Sequence, residues 1–193
     1  FFAAYAFLGV PANLLMRKFG ARTWIGVTTL IWGALSAGMA YADTEWKVLA
    51  VRVLLGVAEA GFFPGMIYLT SQWFPQHKRA GIMGLFYMGA PLALAFGSPL
   101  SGALLEMHGF LGHPGWYWMF LIEGLVAIIA GVVTFTYLDN SPQEARFLEQ
   151  SEKDILIAQL NSEESVKTTS HISDAVSNTR VWHLSIIYMI IQI

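Results

Sequence analysis

Cysteine is absent from these 193 residues, and charge is scarce: 11 Lys and Arg against 13 Asp and Glu, 12% of the chain. Without cysteine there is no disulfide and no thiolate metal site, and thiols say nothing of redox compartment. A net charge of −2 argues against a nucleic-acid partner. No nucleophile elbow, phosphate-binding glycine loop or HExxH helix occurs, so an enzyme finds no support. The histidines His108 and His113 lie five apart around an outer loop, with no carboxylate beyond Glu106. They read as solvated loop residues rather than metal ligands, and no metal site is expected.

What is present is apolar. Hydrophobic residues make up 55% of the chain and mean hydropathy is +0.53, whereas soluble domains run at about a quarter charged. The few charges fall in short clusters between long apolar runs, the pattern of an all-α, multi-pass membrane protein in contact with lipid. Phe1 already lies inside an apolar run, and the final SIIYMIIQI is apolar too. The expectation is a piece of a longer protein.

Five spans are expected, at residues 1–16, 23–41, 46–73, 80–105 and 115–138. The second carries Gly33, Ala34, Ala37 and Gly38, two small-xxx-small pairs that allow close helix approach. Pro64 predicts a kink in the third, and Gly84, Gly89, Pro91, Gly97, Pro99 and Gly102 predict a bent fourth. Trp116, Tyr117 and Trp118 open the fifth as an interfacial belt.

Residues 139–180 hold eight of the thirteen acidic residues and read as a linker between two membrane halves. Ser141, Pro142 and Glu144 look like a helix start, and Ser151 offers a second. Residues 161–179 are expected to be polar and mobile. Residues 181–193 would begin a second half. Nine of the Lys and Arg residues (17, 18, 22, 78, 79, 146, 153, 167 and 180) fall on one side, and only Lys47 lies in a loop on the other. The positive-inside rule then makes the 139–180 linker cytoplasmic.

Two charges interrupt the run AVRVLLGVAEAGFFPG: Arg52 and Glu59. Seven residues apart on a helix, they share a face and lie about 10 Å from each other. Charge inside a span is costly and marks a functional site by default. Arginine offers a fixed cationic fork to a carboxylate, and a carboxylate near the midplane can carry a proton. Together they suggest an organic-anion site coupled to proton movement. The alternative is that both hold the bundle together. Glu123, the other charge inside a span, could be a salt-bridge partner for Arg52 or a gating residue, and the structural reading is favoured because Gly124 beside it suggests close packing. Tyr5 offers a hydroxyl to a cavity or sits at the interface. Asn13, Tyr68, Thr70, Ser71, Tyr87 and Ser98 are weaker polar candidates.

The strings VRVLLGVAEAGFFPGMIYLTSQWFPQHKRA, GSPLSGALL, GWYWMFLIEG and LDNSPQEARFL resemble the anion:cation symporter branch of the major facilitator superfamily. Within it the chain is most similar to sugar-acid permeases of the rhamnonate type, with tartrate and galactonate permeases next. The resemblance implies a helix bundle of two six-helix halves. This chain would be part of the N-terminal half, the second to sixth helices plus the start of the seventh. It implies a monomeric transporter of the bacterial inner (plasma) membrane, importing a small sugar-acid anion by proton symport with alternating access. No cofactor is implied beyond the coupling ion, H+.

Arg52, in R-x-x-x-G ending at Gly56, falls on an arginine that contributes to anion binding. Glu59 falls on an acid implicated in proton coupling, and Tyr5 on a tyrosine near substrate. The family's first helix, which completes the site, has no counterpart here. In the loop after the first span the family usually has an aspartate. Here Arg17 stands in its place, followed by Lys18, Gly20 and Arg22, so the usual gate contact is not expected. Competing readings are carriage of another organic anion by the same fold, or a non-transporting sensor or scaffold.

Overall fold

A computed structural model describes residues 8, 11–12, 15–164, 177–180, 182–183 and 186–187. The described part is helical, with no strand among the described residues. Residues 15–19 are helical and end at Gly20, whose φ of 83° lies in the left-handed region that favours glycine. Helix α1 (Ala21–Met39) follows, then α2 (Glu45–Glu59), α3 (Phe62–Trp73), α4 (Gln76–Tyr87), α5 (Gly89–Glu106), α6 (Gly115–Tyr137) and α7 (Gln150–Glu164).

Three helical stretches are long and apolar enough to cross a membrane: Glu45–Trp73, Gln76–Glu106 and Gly115–Tyr137. The first two each contain a break. The one between α2 and α3 falls at Ala60–Gly61, and the one between α4 and α5 at Met88. Pro64 and Pro91 lie just beyond, each in the first turn of the resuming helix. Proline has no N–H and crowds the carbonyl four residues earlier. Those carbonyls belong to Ala60 and Tyr87, so the predicted kinks appear one turn ahead of the prolines that cause them. Pro99 instead sits inside an unbroken α5. Helix α1 is less apolar than the three, because it contains Arg22 and is interrupted by Thr23, Thr28, Thr29 and Ser36. Thr28 returns its hydroxyl to the Trp24 carbonyl at 2.8 Å, as a helix in an apolar setting requires.

The most extensive packing joins α1 to α6. Small residues make this seam. A Cβ on Gly124 would stand 2.4 Å from the Ala37 nitrogen, and one on Gly33 would stand 2.7 Å from the Ile128 nitrogen. Of the two small-xxx-small pairs, Gly33 and Ala37 form the contact, while Gly38 faces open space. Gly61 and Gly65 press on Trp24, Ala12 and Met16, which brings α3 against the first span. Tyr41 and Tyr117 pin the two long helices at one end, hydroxyl to hydroxyl at 3.0 Å.

The opposite end gathers the basic clusters. Arg22 donates through its guanidinium to the Phe135 carbonyl, near the C-terminus of α6, and its backbone N–H donates to the Asn140 side chain at 3.0 Å. A cation at a helix C-terminus is favoured by the macrodipole. Beyond α6 the chain does not form the helix expected at Ser141. It makes a single 3-10 turn, Pro142–Glu144, with no side-chain cap from Ser141. Asp139 is buried and takes the Arg146 side of the loop instead: it accepts from the Arg146 backbone N–H at 3.0 Å and its Nε at 3.1 Å. Those bonds stabilise a tight loop in place of a helical turn.

The second expected start is realised as α7. It continues through Ser162 and Glu163, residues expected to be mobile, because Glu163 is anchored. Its carboxylate accepts the Gln76 backbone N–H at 2.8 and 3.0 Å and lies 3.6 Å from Arg79. It thereby caps the N-terminus of α4 from a distance in sequence.

Candidate functional site

Helix α2 begins at Thr44, whose hydroxyl accepts the Lys47 N–H at 3.4 Å, with Glu45 favourably placed in the first turn. That start sets the phase of Arg52 and Glu59 two turns and four turns along. Arg52 is exposed and lines a cavity of about 230 Å³ with Met39, Ala42, Val48, Trp116 and Phe120. It also lines a neighbouring recess of about 530 Å³ toward Asp43 and Glu45. Trp116 and Phe120, four apart on α6, put apolar rings beside a fixed positive charge. That setting suits a small anion with a carbon skeleton. No hydrogen bond or ion pair engages the Arg52 side chain among the described residues.

Glu59 is the last residue of α2, immediately before the break at Ala60–Gly61. It is half-buried and has no cationic partner among the described residues. Arg52 and Glu59 therefore do not pair with each other. Glu123 is half-buried too, and its partner is Ser101 of α5, at 2.5 Å. It does not pair with Arg52. The contact ties α5 to α6, next to the Gly124 crossing of α1. Tyr5 and Asn13 lie outside the described residues. Tyr68 lies under the Arg17 guanidinium, 5.9 Å from carbon to ring centroid, and the Thr70 and Ser71 hydroxyls return to their own helix.

In the loop after the first span the four singled-out residues separate. Gly20 supplies the turn, and a Cβ there would stand 2.6 Å from the Asn140 side chain. Arg22 caps α6, Arg17 covers Tyr68, and Lys18 lies 5.7 Å from the Phe19 ring centroid. Asn140, Asp139 and Glu163 were not singled out in the sequence, although LDNSPQEARFL contains the first two. Their signal is spatial: each meets a residue from a distant loop or turns the chain back on itself. His113 stacks on Tyr117 with ring centroids 4.1 Å apart. No cluster of three or more metal-ligating side chains occurs among the described residues.

Three membrane-length helices, a glycine seam between one of them and α1, and charges on α2 that are unpaired among the described residues define a multi-pass membrane protein. The comparison with known proteins makes this specific. The description "Major Facilitator Superfamily" matches residues 1–193, and the chain belongs to that family. It is 73% identical over its whole length to Inner membrane transport protein RhmT of Escherichia coli K12, covering 45% of that protein. It is 46% identical over 190 residues to an Agrobacterium vitis protein provisionally named as a tartrate transporter, covering 44% of it. A Quinolone resistance transporter of Acinetobacter baumannii is 38% identical over 192 residues, again with 44% of its length covered. The chain thus spans less than half the length of these relatives.

Proposed function

We propose that this chain forms part of the N-terminal half of a secondary transporter in a bacterial inner membrane. The whole protein imports a small sugar-acid anion of the rhamnonate type with a proton, by alternating access, as a monomer without cofactor. Residues 139–180 lie on the cytoplasmic side, as the lysine and arginine asymmetry favours, and residues 181–193 lead into the second half.

One observation carries the reading. Arg52 presents a guanidinium, without a carboxylate partner among the described residues, to a cavity walled by Trp116 and Phe120, in a membrane-length helix. An unpaired intramembrane charge is too costly to persist without use, and a bidentate carboxylate ligand suits it. Glu59, two turns further along and also unpaired among the described residues, is the proton site. Glu123 is structural, held to Ser101. Tyr5 remains a substrate contact by resemblance alone. The 73% identity to an inner-membrane transport protein supports the class.

A second reading keeps the fold and changes the cargo to another carboxylate such as tartrate, which the Agrobacterium vitis relative favours. The test is uptake by the whole protein in proteoliposomes, with an internal pH dye. Rhamnonate should acidify the lumen, Arg52→Ala should abolish uptake, and Glu59→Gln should lose acidification. Tartrate-driven acidification without rhamnonate response selects the second reading. Unchanged uptake in both variants removes the assigned roles.

A further inference from the structure

At the end carrying the basic clusters, the α3–α4 turn and the segment after α6 enclose a second cavity, of about 560 Å³. That is within the roughly 300–1,000 Å³ of sites that take small organic ligands. One wall is Trp73, Phe74 and Ile82, and the other is Phe147, Leu148 and Leu156. The two walls are fixed to each other. Trp73 and Phe147 stack with ring centroids 5.7 Å apart and planes within 11°. Glu163 clamps α7 to the start of α4 through the Gln76 N–H and Arg79.

The cations around this cavity divide by occupation. Arg79 is engaged: it donates to the Phe74 carbonyl at 2.8 Å and the Ser71 carbonyl at 3.1 Å, and faces Glu163. Lys78 and His77 line the cavity, are exposed, and have no side-chain partner among the described residues. The Trp73 indole N–H is buried without an acceptor among the described residues, which leaves a donor unsatisfied on an otherwise apolar wall. The depth is set by the spans. Glu45–Trp73 ends at this cavity and Gln76–Glu106 begins at it, so it opens where acyl chains give way to headgroups.

We propose that this cavity binds an anionic phospholipid of the adjoining leaflet, with an acyl chain between the two apolar walls and the phosphate on Lys78 and His77. Lipid is the occupant because the walls are apolar, the mouth carries unneutralised positive charge, and the cavity lies at bilayer depth. A tryptophan at that depth matches the wet end of a chain. Occupation would hold the segment after α6 against the α3–α4 turn from the membrane side.

The test uses the whole protein, purified in detergent and stripped of lipid, with bound lipid counted by native mass spectrometry. Phosphatidylglycerol should be retained over phosphatidylcholine of the same acyl chains. Lys78→Gln, a surface change that leaves the fold alone, should weaken phosphatidylglycerol binding about fivefold, the worth of one basic residue at an anionic surface. It should leave phosphatidylcholine unaffected. Leu156→Trp should fill the cavity and remove both. Equal retention of the two lipids overturns the proposal, as does wild-type binding in Lys78→Gln. Displacement by inorganic phosphate alone also overturns it, since it would mean a headgroup-only anion site.

Discussion

The glycine seam between α1 and α6 predicts a contrast between two substitutions of the same chemistry. In Gly124→Ala the new Cβ would stand 2.4 Å from the Ala37 nitrogen and 2.7 Å from its Cα, whereas ordinary contact begins at 3.4 Å. The two helices must separate by about 1 Å, and the obstructing atoms are backbone, so no side chain can swing away. A gap of about 0.5–1 Å forfeits a quarter to a half of each dispersion contact along the seam. Overpacking of this kind costs about 1–3 kcal/mol, and rigid obstruction places Gly124→Ala in the upper part of that range. Gly38→Ala, on α1 itself, meets nothing within 4 Å. There the better helix propensity of alanine is unopposed, so stability should hold or rise by up to about 1 kcal/mol. Unfolding in mixed micelles, followed by tryptophan fluorescence, reads both, since Trp24 and Trp32 lie on α1. Equal stability of the two variants would refute the reasoning, because only the close crossing distinguishes them.

Four further outcomes follow from the same geometry. Glu163→Gln should release α7 from the α4 N-terminus, costing about 1 kcal/mol as the loss of a helix cap does, with faster amide exchange over residues 150–164 as the readout. Asp139 is held below the usual carboxylate range, first by the Arg146 backbone N–H and then by its side chain and by Arg22, against the opposing effect of burial. Its contribution is therefore full above the ordinary carboxylate value and is lost as pH falls through the depressed one; Asp139→Asn should flatten the acid limb of an unfolding-against-pH curve. Ser101→Ala should leave Glu123 half-buried without its partner and cost about 1–3 kcal/mol in the same unfolding assay. In the whole protein with any cysteine outside these residues replaced, Lys78→Cys and Asp43→Cys can be labelled singly, and a membrane-impermeant thiol reagent should reach only Asp43→Cys from outside intact cells.

Periodicity and punctuation made the helices legible, and the limits of that legibility have physical causes. Apolar runs place helices without reference to anything distant, so α1, the stretch of α2 and α3 together, and α6 lie within a few residues of 23–41, 46–73 and 115–138. Prolines mark breaks by a local rule, but the break appears about one turn earlier than the proline, at Ala60–Gly61 and at Met88. The loop at Asp139 defeated local reading. Ser141, Pro142 and Glu144 carry helix-start chemistry, yet the bonds that decide the backbone run from Asp139 to Arg146 and from Arg22 to Asn140. The end of α7 failed for the same reason, since Glu163 is polar and exposed-looking in sequence and anchored only by a turn 87 residues away. The charges were visible as violations of apolar pattern. Their pairing was not, because whether Glu123 meets Ser101 or Arg52 depends on how α5, α6 and α2 cross.

The elements that hold the bundle and those that bear the charge are different. The seam runs between α1 and α6, closed at one end by Tyr41 and Tyr117 and at the other by Arg22 and Asn140. Arg52 and Glu59 sit on α2, whose buried residues are only Gly56 and Ala58. Neither charge donates to or accepts from the seam. Arg52 is exposed and has no partner among the described residues, so its removal should cost little, about ±0.5 kcal/mol as at a surface position, and half-buried Glu59 likewise has no bond among those residues to lose. Glu123 is the opposite case, bonded to Ser101 and adjacent to the Gly124 crossing. Substitution at Arg52 or Glu59 thus separates chemistry from stability, while substitution at Glu123 moves both. That division gives the roles assigned on α2 a meaning independent of resemblance. If Arg52→Ala destabilised the protein as much as Ser101→Ala, the arginine would be part of the scaffold, and the anion site would have to be sought elsewhere.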